Sequence, residues 1–345
     1  MRAVGDGTLS VRGAVDVAMR DLPSPWGWFA VGFSHELPCR GVLTRRLAGE
    51  ELVVWRSADG SVGATSPTCP HLGAHLGRGS VDGGAIRCPF HGFTFDRDGR
   101  CTATGGGAAP PAGLTVRSWP VHDRNGVLLV WHHPHGSPPS FEVPELDAVP
   151  ITRLGRTTTA CFEFDGHPVA TSENSVDLSH LAEVHHYTAV TMVHPFSTDG
   201  THASASYSMT RPVGIPGDGR LPALRRATTQ VRFDVRLFGL GVSLVEATIP
   251  RIGARTRQLV LATPVAQGRI ELRLAMQVLH EGGRLRSIVE RVAARVATRG
   301  FVHDVRQDVP IWASQRYVSH PALAHGDGPI VPYRRWARQF LEHDG

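Results

Sequence analysis

The 345-residue sequence holds few cysteines, and their number is odd: Cys39, Cys69, Cys88, Cys101 and Cys161. Five scattered thiols cannot build a disulfide scaffold, which fits a reducing, cytoplasmic setting. Long apolar runs are also missing. Stretches such as Val127 to Trp131 stop far short of the roughly 20 residues a spanning helix needs, so no membrane span is expected. The N-terminus lacks the apolar core of a signal peptide. Basic residues form no block, so the net charge of +5 gives no nucleic-acid or anionic-lipid surface and instead favours an acidic protein partner. There is no internal repeat, no low-complexity tract, and no Gly-x-Gly-x-x-Gly after a strand, hence no nicotinamide or flavin fingerprint.

What is present has the size of two domains, and 41% hydrophobic residues can supply a core for each. Residues 1–25 show no sustained period and read as a lead-in segment ending at Pro23, Ser24 and Pro25. Residues 26–135 carry short β-rich runs (Trp28 to Phe33, Leu52 to Trp55, Val127 to Trp131) between Gly, Pro and Asp clusters, the pattern of a small all-β domain. A proline-rich stretch from His132 to Pro144 reads as a linker into residues 136–345. There, Gln230 to Ile249 and Gln258 to Leu279 alternate as strands, with Val231, Phe233, Val235 and Leu237 on one face. Ile288, Val289, Val292, Ala293 and Val296 recur at helical spacing between Leu285 and Arg299, and a helical pattern resumes around Val302 to Gln315. The fold expected is α+β, a β domain followed by an antiparallel sheet flanked by helices.

The first chemical constellation is Cys69-Pro-His71 with Cys88-Pro-Phe-His91. Two thiolates and two imidazoles could bind tetrahedral zinc. Here, though, each loop offers one ligand of each kind, as a Rieske [2Fe-2S] centre requires when both cysteines hold one iron and both histidines the other. Gly73 and Gly92 would let the backbone turn tightly around such a cluster. His75 fits no ligand position and reads as a loop residue, while Cys39, Cys101 and Cys161 read as small buried hydrophobes. The segments Cys69-Pro-His-Leu-Gly-Ala and Cys88-Pro-Phe-His-Gly-Phe-Thr-Phe-Asp96 resemble the two cluster loops of Rieske oxygenases.

The second constellation, Asn174-x-x-Asp177-x-x-His180-x4-His185, resembles the motif of Rieske oxygenase catalytic domains. A two-histidine, one-carboxylate set leaves one face of Fe(II) open. His180 and His185 are the expected neutral ligands, with His186 as a rival. Five residues place two side chains about 140° apart on a straight helix, so a break is expected between them. Asp177, one turn before His180, could fix its tautomer. The third ligand is assigned to Asp308, with Asp304, one turn away on nearly the same face, as the alternative.

The resemblance spans Trp26 to Phe340. Glu173-Asn174, Gln307-Asp308-x-x-Ile-Trp312 and Tyr333-Arg-Arg-Trp336-x-x-Gln339-Phe340 make it most similar to the group of 3-ketosteroid 9α-hydroxylase oxygenases and cholesterol 7-desaturases. Departures are Leu181 for an aromatic, Phe93 for a tryptophan, and a Gly-rich segment from Gly105 to Pro111. The resemblance implies a Rieske domain followed by a helix-grip catalytic domain, carrying a [2Fe-2S] cluster and a mononuclear Fe(II). It also implies a homotrimer, in which Asp177 carries electrons from a neighbouring subunit's cluster and, with Asn174, serves the catalytic site. O2 and an apolar substrate such as a steroid, terpenoid or natural-product intermediate would be consumed, with NAD(P)H acting only through a separate ferredoxin or flavin reductase. Hydroxylation is the default outcome; desaturation, demethylation and cyclisation are open to the same centre. The reading from another class is a Rieske electron-transfer protein without mononuclear iron catalysis.

Overall fold

The structure is a computed structural model and describes residues 17–146, 158–212, 228–252, 254–279 and 287–342. Residues 1–16 of the lead-in, residues 285 and 286, and the side chains of Ile288, Val289, Val292, Ala293 and Val296 lie outside the described residues.

The N-terminal strands are β1 (Val17–Ala18), β2 (Gly27–Phe33), β3 (Val42–Leu47), β4 (Glu50–Arg56), β5 (Val62–Thr65), β6 (Ser80–Asp82), β7 (Ala85–Arg87), β8 (Thr94–Phe95), β9 (Cys101–Ala103), β10 (Val121–Arg124) and β11 (Val127–His132). They form sheets β10-β11-β2, β3-β4-β5 and β6-β7-β8-β9, while β1 pairs with a short late strand, β19 (Arg316–Tyr317). The second half is one seven-stranded antiparallel sheet of β12 (Thr158–Asp165), β13 (Thr188–Asp199), β14 (His202–Pro212), β15 (Thr228–Phe238), β16 (Val242–Ile249), β17 (Ala254–Ala266) and β18 (Arg269–Leu279). Its order is β12-β18-β17-β16-β15-β14-β13. Helices α1 (Pro168–Glu173) and α2 (Ser179–Glu183) precede β13, and α3 (Ser287–Ser314) and α4 (Ile330–Ala337) close the chain. The α+β class and the strand runs expected from alternation are those observed.

Strands β2 and β11 are buried on both faces because they are the wall between two cores. Phe29, Val31, Leu128 and Val130 face the small domain's core with Leu52 and Val54. Their alternates Trp28, Ala30, Leu129 and Trp131 pack on Phe238, Leu244 and Leu261 of the large sheet. The period of two thus sends successive side chains into different hydrophobic interiors. Polar ties cross the same wall: Thr263 Oγ1 donates to the Ala30 carbonyl at 2.7 Å. Glu36 bridges Arg45 and Arg273 at 2.7 Å each. Burial would raise the Glu36 carboxyl, but Arg273, the Phe33 main-chain N–H and Arg45 outweigh it and hold it below the usual range.

Three sequence expectations are revised. Helix α3 runs unbroken through Gly300 and contains Pro310. A helical glycine costs about 1 kcal/mol, which packing of Phe301, Val305 and Trp312 on the sheet offsets. Cys39 and Cys161 are exposed and Cys101 half-buried. Cys161 lies on edge strand β12, where Ala160 and Phe162 take the inward positions. The residues from His133 to Leu146 form no strand or helix, yet they are tied down: Trp28 Nε1 donates to the Phe141 carbonyl at 2.7 Å and Trp131 Nε1 to the Ser137 carbonyl at 2.8 Å. Among the described residues no helix is long and apolar enough to cross a membrane.

His167 caps α1 and gives a pH test. Its Nδ1 accepts the Val169 N–H at 3.2 Å and Nε2 donates to the Pro23 carbonyl at 3.1 Å, an arrangement of the neutral ring. Burial lowers its pKa to about 4 from 6.5. The unfolded chain therefore takes up a proton that the folded chain refuses. Stability is full above about pH 6.5 and falls as pH drops towards 4, by on the order of 3 kcal/mol. Denaturant titrations should show this acid slope in the wild type and a flatter one in His167→Asn, which keeps a capping oxygen.

Candidate metal centres

The two cysteine loops share one backbone design. The Cys69 N–H donates to the Ala74 carbonyl and the Gly73 N–H to the Cys69 carbonyl, both at 2.9 Å; the Cys88 N–H donates to Phe93 at 2.7 Å and the Gly92 N–H to Cys88 at 3.2 Å. Each cysteine thus opens a turn closed by a glycine four residues on. Gly73 and Gly92 sit at φ +77° and +67°, where a side chain is strained.

Both thiols are buried, whereas His71 and His91 are exposed with ring centroids 4.8 Å apart. Phe93 stacks on His71 at 4.2 Å. Burial holds the Cys69 thiol above its ordinary pKa; the adjoining Cys88 thiol adds to this, against main-chain donors from His71 and Leu72. A sulfur pair inside and an imidazole pair outside fits a [2Fe-2S] unit whose two irons take different ligands. The Gly-rich segment covers the second loop: the Gly105 N–H donates to the His91 carbonyl at 3.1 Å, and a Cβ there would lie 2.3 Å from that oxygen. His75 is engaged elsewhere, with Nε2 2.7 Å from Glu51 and Nδ1 accepting the Gly77 N–H.

The second centre is assembled from two distant stretches. Helix α1 is wholly buried, and its last residue, Glu173, takes a bidentate pair from Arg334 of α4 at 2.6 and 2.8 Å. Asn174 and Asp177 follow, then the five-residue α2 carries His180. The helix ends before His185, which supplies the break the spacing demanded. His180, His185 and Asp308 present ligand atoms that all lie within 4.8 Å of one another, the one such group among the described residues. Exposed His186, at φ +58°, is outside it.

Each of these side chains is oriented from behind. His180 Nδ1 donates to the main-chain carbonyl of Asp177 at 2.7 Å. The Asp177 carboxylate instead accepts the His180 N–H and the Ser179 hydroxyl at the start of α2, and stands 3.8 Å from the ring nitrogen. His185 Nδ1 donates to Gln307 Oε1 at 3.2 Å, and its Nε2 lies 3.4 Å from Asp308 Oδ1. Burial would lower the His185 pKa, but the Asp308 carboxylate outweighs it and holds the ring above its usual value. Asn174 Nδ2 donates to Asp308 Oδ2 at 3.3 Å. Asp304 is taken by the Tyr187 hydroxyl at 2.7 Å and by Arg211 at 3.5 Å. Gln307, Tyr187 and Arg211 were not singled out as site residues in the sequence; only the neighbourhood of Gln307 to Asp308 hinted at one.

The group opens on a cavity of about 110 Å³ between the sheet and α3. Phe301, Asp304, Val305, Asp308 and Trp312 line it from one helical face, opposite Tyr207, Phe233, Val235, Val245 and Val260 of the strands.

Comparison with known proteins gives two family matches: the Rieske [2Fe-2S] domain at residues 27–120 and the 3-Ketosteroid 9alpha-hydroxylase C-terminal domain at residues 130–341. Among curated relatives, a cholesterol 7-desaturase nvd of Bombyx mori is 28% identical over 93% of this chain and 70% of its own. A 3-ketosteroid-9-alpha-monooxygenase oxygenase component of Rhodococcus rhodochrous is 27% identical, covering 91% and 83%. Dicamba monooxygenase bound to dicamba shares the fold, with a TM-score of 0.64 and 21% identity over 94% of this chain and 98% of that one. Pseudomonas putida CBB5 NdmA with caffeine gives 0.66 and 20%, over 90% and 89%. The two family matches and these relatives define a Rieske-type iron-dependent oxygenase. Such an enzyme carries a [2Fe-2S] cluster and non-haem iron, and oxidises an organic substrate with electrons from a separate reductase. Within that class, the chain belongs to the 3-ketosteroid 9alpha-hydroxylase C-terminal domain family.

The glycine packing gives a graded test. A Cβ at Gly92 would lie 2.8 Å from the Gly105 Cα, and at Gly106 it would meet nothing within 4 Å. Gly92→Ala and Gly105→Ala should lower acid-labile sulfide and the visible cluster absorbance, while Gly106→Ala keeps both.

Proposed function

We propose that Cys69, His71, Cys88 and His91 hold the [2Fe-2S] cluster, that His180, His185 and Asp308 hold the mononuclear iron, and that the substrate is a largely apolar, steroid- or terpenoid-like molecule. The observation that carries this reading is the convergence of two imidazoles and a buried carboxylate on the wall of a cavity whose sheet side is lined by Phe233, Val235, Val245 and Val260. When bound, the cluster supplies single electrons and the iron supplies dioxygen chemistry.

The protein's own groups bind and orient. The Asp177 carbonyl and Gln307 keep the Nδ1 protons of His180 and His185 turned away, so that both Nε2 atoms face inward. Asn174 fixes one oxygen of Asp308 and leaves the other towards His185. Phe233, Val235, Val245 and Val260 exclude water from the reacting face. A cavity of about 110 Å³ is smaller than the roughly 300–1,000 Å³ of ordinary ligand sites, so a polycyclic substrate enters with side-chain movement. Hydroxylation is the reaction we assign.

The donor of electrons, a ferredoxin or flavin reductase, docks at the cluster, where Leu72 (64% exposed) and Phe90 (62% exposed) flank the histidines beside Arg87. The working unit we assign is a cytoplasmic homotrimer; the part-exposed Asp177 carboxylate leaves a route by which electrons from a neighbouring subunit's cluster would reach the iron site.

Anaerobically purified protein should contain about three irons and about two acid-labile sulfides per chain, falling to about two irons in His180→Ala and Asp308→Ala. Gln307→Leu should weaken iron retention roughly 10- to 100-fold. Two irons unaffected by these substitutions would favour an electron carrier. Light scattering should give three times the mass of the 37.3 kDa chain; a monomer refutes the trimer.

A further inference from the structure

Tyr207 is a polar residue of the cavity wall with no part in the iron site. It stands on β14, 2% exposed, among Leu181, Tyr187 and Val235, and lines the cavity. Its hydroxyl is shut off from solvent and finds no hydrogen-bond partner among the described residues. The nearby polar groups are already engaged: Tyr187 and Arg211 with Asp304, Asn174 with Asp308, Gln258 with Thr256. A buried hydroxyl without a partner bears the full cost of its lost hydration. A phenylalanine would fill the same space without that cost. Burial raises the phenol's pKa, so the group stays a neutral O–H donor at every working pH.

We propose that the Tyr207 hydroxyl is a substrate-recognition group, donating to a carbonyl or hydroxyl oxygen on an otherwise apolar substrate held in this cavity. The inference rests on the assignment of the cavity as the substrate site. Its logic is that of sites built to pair a polar atom: the unpaired donor idles in the free protein and is satisfied only by a ligand with an acceptor at the matching place, so analogues lacking that atom are rejected. The apolar strand residues around it, Phe233, Val235 and Val245, accept ring carbons without distinguishing them. Tyr207 therefore selects by a single oxygen.

The test uses the iron-replete full-length protein, kept without oxygen so that no turnover occurs, and its Tyr207→Phe variant. Thermal unfolding is read first. A midpoint at or above that of the wild type supports an idle hydroxyl, whereas a lowered midpoint overturns the proposal by revealing a structural partner. Calorimetric titration then compares matched probes, indanone against indane and decalone against decalin. The expected result is a preference of the wild type for the ketone of at least one pair by about three- to tenfold, lost in the variant while hydrocarbon affinity is kept. A ketone preference that survives in Tyr207→Phe, or its absence from the wild type in both pairs, refutes the assignment. Iron counts on the same samples separate this from failure of the iron assignment, because the binding readout needs no catalysis.

Discussion

Burying the Asp308 carboxylate at 4% exposure beside two imidazoles is the constraint on which the large domain's design turns. A charge withdrawn from water is tolerated only where partners surround it. Here Asn174 and His185 do so from a segment more than 120 residues earlier in the chain. Holding those two stretches against each other needs rigid support. It comes from the sheet under α3 and from the Glu173–Arg334 pair, whose two bonds clamp α1 to the C-terminal helix immediately before Asn174. The loop ahead of α4 adds to the clamp through the Leu178 N–H, which donates to the Asp327 carbonyl at 3.0 Å.

The cluster loops and the large domain differ in how openly the sequence declared them. Cys69, His71, Cys88 and His91 lie within one short stretch, on turns whose backbone bonds are local, so residue type and spacing alone suggest them as one ligand set. The break between His180 and His185 was legible for the same reason, since their five-residue spacing does not fit one straight helix and α2 ends at Glu183. One helical turn gives Asp308 and Asp304 nearly the same direction, so the sequence favours Asp308 only through the resemblance of the Gln307-Asp308 segment. What distinguishes them is tertiary: Tyr187 and Arg211 come in from β13's approach and β14 to occupy Asp304. Asp177 was expected to orient His180 through its carboxylate, and its main-chain carbonyl holds that nitrogen instead. Side-chain patterns cannot reveal a contact made by a carbonyl.

Misjudged elements share a physical cause. The helical pattern of the sequence lapses between Arg299 and Val302, but packing of Phe301, Val305 and Trp312 on the sheet carries α3 through Gly300 without a break. Cys161 was expected inside because cysteine is usually buried, but an edge strand has an outward face that any small residue can occupy. The Gly105 segment was a departure from the family pattern in sequence and turned out to be the cover of the His91 loop, where the backbones approach too closely for a methyl group.

Strands β2 and β11 belong to two hydrophobic interiors at once, with alternate residues committed to each. A cluster-bearing domain attached in this way is not an interchangeable cassette. Transplanting it between relatives would carry Trp28, Ala30, Leu129 and Trp131 away from the Phe238, Leu244 and Leu261 surface shaped to receive them. Separating the two halves at the chain's apparent seam would therefore strip an apolar face from each, so the electron-accepting and substrate-oxidising parts are one packing unit.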